Sequence, residues 1–313
     1  MSSPRKVTCV GAGNVGRAWA IKFAMSNCQT VLYDVSIESL QLAQQAIQRS
    51  LCDLEAAGTI ACSKTIQSRI TTTTCLSEAL SDAIYVQESV PEDTELKKQV
   101  FQQLDQLADS SAVIGSSTSE IPASDFCAEL IGGHRCLVAH PLNPPYLIPL
   151  VELCPAPFTS EAALAFAQDF FIEIGHKPIV VKKEVSGFIA NRLQLAVLAE
   201  AVSLVKDGAC SATDIDTAMK HGLARRWLFF GPFETAQLNC STGFKDYISA
   251  FSDCHRKIVE DLDIDYSNWT RDTIEGIDRS LSKLTPQDEI QQKQASRDQK
   301  LMALNLFLGE SGA

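Results

Sequence analysis

Lys6-Val-Thr-Cys-Val-Gly-Ala-Gly-Asn-Val-Gly16 is the stretch of sequence that decides the fold. Its apolar first half predicts a short buried strand, Val7–Val10, and a helical pattern follows the glycines. In such a loop Gly11 permits a tight turn, Gly13 lets the backbone approach a pyrophosphate, and Gly16 lets the helix pack closely on the strand. Phosphates would then lie on free N–H groups at the helix N-terminus. The stretch therefore predicts a dinucleotide-binding α/β domain.

An acidic residue ends the next predicted strand. Asp34 follows the apolar run Thr30–Tyr33 and lies 18 residues beyond Gly16. A carboxylate at this place accepts hydrogen bonds from the ribose hydroxyls of adenosine and repels a 2′-phosphate. Because no Arg or Lys occurs within Val35–Ser39, we predict NAD as the cofactor and not NADP. The alternatives are a glycine turn that binds no ligand and an acid on a surface turn.

Strands and helices alternate through the first half of the chain. Apolar residues recur at intervals of three and four over Ile37–Ala57, which predicts a helix, and a further helix is predicted from Glu92 to Ala108. This alternation predicts a Rossmann-type, mostly parallel sheet with helices on both faces. The other predicted strands are Ala83–Gln87, Ala112–Gly115, Cys136–Ala139 and Val151–Leu153.

The strand patterns end at Glu184, and only helical patterns follow. Helices are predicted at Phe188–Lys206, Ala212–His221 and Phe233–Phe251, and a last helix is predicted to begin at Thr285-Pro286, with Thr285 as its N-cap. We therefore predict an NAD-binding α/β domain over residues 1–185 and an all-helical domain over residues 186–313. A chain of 313 residues is long enough for two domains.

The composition excludes several classes of protein. The chain is 45% hydrophobic and 21% charged, and its net charge of −11 argues against nucleic acid or an anionic membrane as a partner. No apolar stretch is long enough for a membrane span, and the first residues are too few and too polar for a signal or transit peptide. The eleven cysteines are scattered without metal-ligand spacing. We expect a cytoplasmic protein with reduced thiols and no bound metal.

A histidine and a glutamate are the candidates for acid–base chemistry. Of the five histidines, only His140 lies where a predicted sheet strand ends in a rigid Pro-Leu-Asn-Pro-Pro turn, at the edge where ligands of open α/β sheets bind. Histidine suits the removal of a hydroxyl proton near neutral pH. Glu152, between apolar neighbours in the next strand, needs a partner, and His140 would supply one. The alternatives are a structural turn histidine and a glutamate on an exposed edge.

Six motifs give the chain a specific resemblance. It resembles the 3-hydroxyacyl-CoA dehydrogenase superfamily, and most closely the lambda-crystallin / L-gulonate 3-dehydrogenase branch, over nearly its whole length. The motifs are Val-Gly-Ala-Gly-Asn-Val-Gly, Ser-Val-Pro-Glu-Asp, Ser-Ser-Thr-Ser, Ala-His-Pro-Leu-Asn-Pro-Pro, Leu-Val-Glu-Leu and Gly-Phe-Ile-Ala-Asn-Arg. The superfamily's catalytic His and Glu fall on His140 and Glu152, and its substrate-binding Ser and Asn fall on Ser119 and Asn191.

The resemblance also implies contacts with NAD that the residues alone do not indicate. Taken by themselves, Glu92 would be an acid in the first turn of a helix and Lys97 a solvated lysine. The implied cofactor contacts, beside the glycines, are Asn14, Val15, Asp34, Glu92, Lys97, Ser119 and Asn143.

Two departures from the acyl-CoA enzymes indicate the substrate. Those enzymes carry a lysine-rich arm after the second strand, whereas Ile37–Ser63 contains Arg49 as its only basic residue, so a CoA would find little positive charge there. An arginine of the gulonate branch falls on Arg226, and a guanidinium can bind a carboxylate through two parallel hydrogen bonds. The alternative for Arg226 is a surface arginine that covers the helical domain or a subunit interface.

The resemblance and the residues together imply an activity. We expect NAD-dependent oxidation of a free 3-hydroxy acid, first L-gulonate to 3-dehydro-L-gulonate, with Ser119 and Asn191 holding the reacting oxygen near His140. The alternatives are a 3-hydroxyacyl-CoA dehydrogenase and a non-catalytic, crystallin-like structural protein that still binds NAD. Members of the superfamily pair through the helical domain, so a homodimer is implied.

Overall fold

The computed structural model describes residues 5–241, 243–262 and 269–309, and its first part is built on an eight-stranded sheet. The strands are β1 (Lys6–Val10), β2 (Gln29–Tyr33), β3 (Ile70–Thr73), β4 (Tyr85–Glu88), β5 (Val113–Ser116), β6 (Cys136–Pro141), β7 (Leu150–Pro155) and β8 (Lys177–Val180). Their order across the sheet is β3-β2-β1-β4-β5-β6-β7-β8, and all neighbouring pairs are parallel except β6 with β7. The predicted mostly parallel sheet is confirmed.

The two edge strands have no counterpart among the predicted strands. β3 and β8 have four residues each, and their sequences, Ile-Thr-Thr-Thr and Lys-Pro-Ile-Val, lack the apolar run that marks a buried strand. Edge strands need fewer apolar residues and tolerate proline. They are therefore recognised through their pairing with β2 and β7 and not through periodicity.

Seven helices pack against this sheet. α2 buries Leu40, Ala43, Ile47, Leu51 and Leu54, which is the apolar face that the spacing predicts. α5 begins after Asp93, whose carboxylate accepts a hydrogen bond from the Leu96 N–H, so Glu92 precedes the helix and is not in its first turn as predicted. The helices are α1 (Asn14–Met25), α2 (Ile37–Ala56), α3 (Ser63–Gln67), α4 (Leu76–Leu80), α5 (Thr94–Leu107), α6 (Ala123–Cys127) and α7 (Glu161–Glu173).

The rest of the described chain is helical, as predicted. Its helices are α8 (Ala190–Lys206), α9 (Ala212–Ala218), α10 (Ala224–Trp227), α11 (Pro232–Leu238), α12 (Phe244–Ala250), α13 (Ser252–Asp261), α14 (Arg271–Leu284) and α15 (Ile290–Leu308). The prediction of a single helix over Phe233–Phe251 is wrong. The segment forms two helices, α11 and α12, and Gly243 before α12 has a φ of 99°. Thr285 ends α14 and does not cap the last helix, which begins at Ile290 after a short 3₁₀ turn.

The chain forms two compact units. The second contains Arg192–Lys293, and the first contains the described residues up to Asn191 together with those from Gln294 onward. The division thus lies beyond the predicted boundary near residue 185, and the end of the chain returns to the first unit. Met302 is buried in the first unit's core, and the Asn305 amide donates to the Leu147 carbonyl at 2.7 Å. No described helix has the length and apolar character that crossing a membrane requires.

A buried histidine makes the first unit sensitive to acid. His176 is 2% exposed and packs on the rings of Trp19 and Phe171, and neither ring nitrogen has a hydrogen-bond partner within the described chain. Burial, with a smaller effect from the positive charge of Lys22, lowers the pKa of His176 to about 3. In the unfolded chain His176 therefore takes up a proton near pH 6.5, whereas in the folded chain it stays neutral until the pH approaches 3. We expect the free energy of unfolding to fall by about 1 kcal/mol per pH unit between pH 6 and pH 4 from this group.

Replacing His176 with leucine should remove this part of the acid sensitivity. Urea unfolding of His176→Leu at pH 7, 6, 5 and 4 should give a shallower dependence on pH than the wild-type protein, since leucine takes up no proton in either state. His134→Gln is the control, because His134 is exposed. Parallel curves for the wild type and His176→Leu would contradict the prediction.

Candidate active site

The glycine turn between β1 and α1 leaves a surface that fits a pyrophosphate. Gly11 has a φ of 99°, and a Cβ on it would lie 2.6 Å from the Ser89 carbonyl oxygen. A Cβ on Gly16 would lie 1.9 Å from the Gly11 carbonyl oxygen, so both glycines are required by the fold. Gly13 differs, because its φ of −68° suits any residue and a Cβ on it would have no atom within 4 Å. The absence of a side chain at Gly13 leaves the N-terminus of α1 accessible, and a pyrophosphate there stays a prediction.

Asp34 is held beside this turn. Its Oδ2 accepts a hydrogen bond from the Ala12 N–H at 2.8 Å, and its Oδ1 accepts one from the Ser36 N–H at 2.9 Å. The carboxylate thus joins the carboxyl ends of β1 and β2. Asn14 and Val15, the other two predicted contacts here, form the start of α1. These positions suit the adenosine ribose and the phosphates of NAD.

His140 and Glu152 lie directly opposite each other on antiparallel strands. The register of β6 with β7 pairs His140 with Glu152, and the distance between His140 Nδ1 and Glu152 Oε2 is 2.8 Å. Both side chains are buried, His140 at 5% exposure and Glu152 at 0%. Because a carboxylate only accepts hydrogen bonds, Nδ1 carries the proton and Nε2 keeps its lone pair. The pair that the sequence analysis favoured is therefore in contact.

Glu152 remains ionised despite its burial. Its Oε1 accepts hydrogen bonds from the Ile189 and Ala190 N–H groups, each at 2.9 Å. Burial by itself raises the pKa of Glu152, but the hydrogen bonds from His140 and from these two backbone groups outweigh it and lower the pKa below its usual range. A fixed negative charge beside Nδ1 would stabilise an imidazolium ring if Nε2 accepted a proton.

Ser119 and Asn191 are also brought together. Ser119 lies three residues beyond β5 and is exposed, and the Asn191 side-chain amide donates to its carbonyl oxygen at 3.1 Å. Asn191 follows Ala190, whose N–H binds Glu152. A continuous series of contacts within the first unit therefore joins the four predicted catalytic residues, in the order Ser119, Asn191, Glu152 and His140.

Glu92 and Lys97 have different surroundings from each other. The Oε1 atom of Glu92 accepts hydrogen bonds from the Thr118 hydroxyl, the Ser119 N–H at 2.9 Å and the Glu120 N–H at 3.1 Å. Its side chain is 36% exposed, so it can still meet a ligand. Burial raises the pKa of Glu92, but these hydrogen bonds and the charge of Lys97 outweigh it and lower the pKa.

Lys97 is fully buried, which the sequence does not indicate. Its Nζ lies 3.0 Å from Glu88 Oε1 and 3.6 Å from Glu92 Oε2. The Lys97 ammonium group therefore supports the carboxylate of Glu92, and a direct contact of Lys97 with NAD stays a prediction. Glu88 is the residue that sequence reasoning missed. Glu88 lies between Gln87 and Ser89, so it lacks the apolar neighbours that singled out Glu152.

The two remaining predicted contacts, Asn143 and Arg226, are both exposed. Asn143 is exposed in the segment between β6 and β7. Arg226 is exposed in α10 of the second unit. The described residues contain no group of three or more His, Cys, Asp or Glu side chains that could hold a metal ion.

Comparison with known proteins identifies the family. The model of the 3-hydroxyacyl-CoA dehydrogenase NAD binding domain matches residues 6–185, and that of the 3-hydroxyacyl-CoA dehydrogenase C-terminal domain matches residues 187–276. The chain belongs to this family. It is an NAD-binding oxidoreductase, and its relatives place it in the lambda-crystallin branch, as the motifs predict.

The relatives share most of its length. The lambda-crystallin homolog of Homo sapiens is 37% identical over 303 residues, which cover 95% of this chain and 94% of that protein. An L-carnitine dehydrogenase of Streptomyces griseus subsp. griseus is 38% identical and covers 75% of this chain and 69% of its own. Among solved structures, an NAD⁺-dependent dismutase, 5-formyl-3-hydroxy-2-methylpyridine 4-carboxylic acid 5-dehydrogenase, has a TM-score of 0.82 and 28% identity, and covers 98% of this chain and 99% of that chain.

Proposed function

We propose that this dehydrogenase oxidises a free 3-hydroxy acid with NAD, and that L-gulonate, oxidised to 3-dehydro-L-gulonate, is its first candidate substrate. One observation carries the proposal. The contact of His140 Nδ1 with the ionised, buried Glu152 leaves Nε2 as a proton acceptor at the carboxyl edge of the sheet. An alcohol oxidation needs such an acceptor for the hydroxyl proton.

The proposed reaction assigns one step to each group. NAD held at the glycine turn beside Asp34 would supply the hydride acceptor for the carbon that bears the hydroxyl group. His140 Nε2 takes the hydroxyl proton as the carbon–oxygen double bond forms, and Glu152 stabilises the resulting imidazolium. Ser119 and Asn191 bind the reacting oxygen and hold it near His140, so the reaction needs no further ordering of that oxygen.

A free acid fits the charges of this chain better than a CoA ester. α2 contains Arg49 as its single basic residue and carries Glu38, Asp53 and Glu55, so it offers little to the phosphates of CoA. L-Carnitine, on which some relatives act, is itself a 3-hydroxy acid with a free carboxylate. In the proposed complex Arg226 binds the carboxylate of the substrate through two hydrogen bonds.

Arg226→Met should separate substrate binding from catalysis. A hydrogen bond to a charged group contributes about 1.5–3 kcal/mol, so we expect KM for the free acid to rise roughly 10- to 100-fold. The dissociation constant for NADH should stay unchanged, because Arg226 has no part in the cofactor site. Arg225→Met, which removes the neighbouring charge on the same helix, is the matched control. Equal KM values for the two variants would exclude Arg226 as the carboxylate anchor.

A substrate panel tests the proposed function directly. NADH formation is followed with L-gulonate, L-3-hydroxybutyrate, L-carnitine and 3-hydroxybutyryl-CoA. Turnover of a free acid supports the proposal. Turnover of the CoA ester alone would make the protein a 3-hydroxyacyl-CoA dehydrogenase, and NADH binding without turnover of any member would favour a structural, crystallin-like role.

We also propose a cytoplasmic homodimer that pairs through the helical domain. Large apolar side chains are exposed within the second unit, among them Trp227, Phe229, Phe230 and Phe233. Such a patch commonly marks a surface for a partner. A sedimentation-equilibrium mass equal to that of one chain would exclude the dimer.

A further inference from the structure

A buried network of polar side chains lies on the face of the sheet that packs against α1 and α7. Its centre is Gln87 in β4, which is fully buried. Gln87 Oε1 accepts a hydrogen bond from the Tyr85 hydroxyl at 2.6 Å. Gln87 Nε2 donates to Ser117 Oγ at 2.7 Å and to the Ala139 carbonyl at 3.2 Å. Both ends of the amide group are thus engaged, which is what makes its burial tolerable.

The path of Gln87 across the sheet depends on a glycine. Gln87 is paired with Gly115 of β5, and a Cβ on Gly115 would lie 2.2 Å from the Tyr85 hydroxyl oxygen and 3.0 Å from the Cβ of Ala139. Without a side chain at Gly115, the Gln87 amide can reach from β4 over β5 to β6. The pairing of β5 with β6 ends at Ser116 with Val138. The Gln87 amide therefore donates to the carbonyl of Ala139 in β6, one residue beyond the last pair between β5 and β6.

The network reaches three parts of the proposed site. Ala139, the acceptor on β6, immediately precedes His140. Ser117, the acceptor after β5, lies two residues before Ser119. The Ser117 hydroxyl is also bonded to the Ser89 hydroxyl at 2.8 Å and to Trp19 Nε1 at 3.2 Å. The Ser89 carbonyl oxygen in turn lies against Gly11, so close that a Cβ on Gly11 would be only 2.6 Å from it.

We infer that Gln87 is a positioning residue, which holds the strand of His140 and the loop of Ser119 in fixed relation to the glycine turn. This inference rests on the proposed function, in which His140 is the base and Ser119 binds the reacting oxygen. Core positions of a central strand are usually apolar, and a buried hydrogen-bonded amide stabilises a fold little more than an apolar side chain of the same shape. The benefit of a glutamine here is the geometry that it fixes.

Two variants separate positioning from stability. Gln87→Met keeps the length of the side chain but removes the bonds to Ser117 and Ala139. Tyr85→Phe removes only the hydroxyl that binds Gln87 Oε1 and leaves those two bonds in place. Each leaves a buried polar atom unpaired, so both should lower Tm. We expect kcat to fall roughly 10- to 100-fold in Gln87→Met and less than threefold in Tyr85→Phe, with the dissociation constant for NADH unchanged in both.

A second measurement does not depend on turnover. In protein with ¹⁵N-labelled histidine, the ring signals of His140, assigned by their loss in His140→Gln, report which nitrogen carries the proton. Gln87→Met should shift them towards a mixture of tautomers, whereas Tyr85→Phe should leave them as in the wild type. If the wild type oxidises no substrate in the panel, the proposed function fails, and these signals still decide the inference. Unchanged His140 signals in Gln87→Met, or activity losses that follow Tm in both variants, would overturn it.

Discussion

Replacing His140 with glutamine is expected to lower kcat by roughly 10²–10⁴-fold, the range in which a general base contributes to catalysis. Glutamine is similar in size and can still donate a hydrogen bond to Glu152 Oε2, but it has no group that can take up the hydroxyl proton at neutral pH. The dissociation constant for NADH, measured by fluorescence titration, should stay within about twofold, because the glycine turn and Asp34 are untouched.

His134→Gln is the matched control for this experiment. His134 is exposed and lies in the 3₁₀ turn that precedes β6, so the same substitution there changes neither the base nor its partner. We expect its kcat to equal that of the wild type. A His140→Gln enzyme that turned over at the wild-type rate would show that another group removes the proton, and the proposed mechanism would be wrong.

The NAD-binding domain was predictable because its motif is local in sequence. Gly11, Gly13 and Gly16 lie within six residues of one another, so their spacing can be recognised without knowledge of the rest of the fold. Asp34 ends the adjacent strand, so the parallel pairing of β1 with β2 fixes its place beside the turn. His140 could be selected in the same way, because the carboxyl end of a strand in such a sheet is where ligands bind.

Residues whose role depends on distant partners were harder to predict. Lys97 is followed by Lys98, and in an amphipathic helix both resemble solvated lysines, yet Lys97 is buried because Glu88 of β4 lies beneath it. Gln87 gave no signal at all, since its two acceptors lie in β6 and in the segment after β5. The contact of Asn305 with Leu147 joins residues that are far apart along the chain, and no periodicity within α15 marks it.

The helical unit shows a different limit. The helical pattern over residues 233–251 does not mark the break between α11 and α12, although α11 ends at Leu238 and α12 begins only at Phe244. Asn239 is the C-cap of α11, and Gly243, with a φ of 99°, is the N-cap of α12. The pattern therefore predicts that the segment is helical, and it does not predict where α11 ends and α12 begins.

Glu152→Gln is expected to lower kcat by roughly 10²–10⁴-fold, although the substitution changes the size of the side chain very little. The reason lies in the direction of one hydrogen bond. In the native protein Glu152 Oε2 accepts from His140 Nδ1, and Oε1 accepts from the N–H groups of Ile189 and Ala190. Those two N–H groups bind the remaining oxygen of a glutamine, which turns its NH₂ group towards His140.

An NH₂ group facing Nδ1 can only donate, so His140 must then accept at Nδ1 and carry its proton on Nε2. Nε2 loses the lone pair that takes the substrate's proton, and the enzyme holds its base in the wrong tautomer. The ¹⁵N ring signals of His140 should report this reversal, alongside the fall in kcat. Glu184→Gln is the matched control, since that carboxylate accepts from the Ser124 N–H at 2.9 Å and does not contact His140. A Glu152→Gln enzyme with native His140 signals and native kcat would show that the carboxylate does not set the tautomer, and that the proximity of the two side chains is structural only.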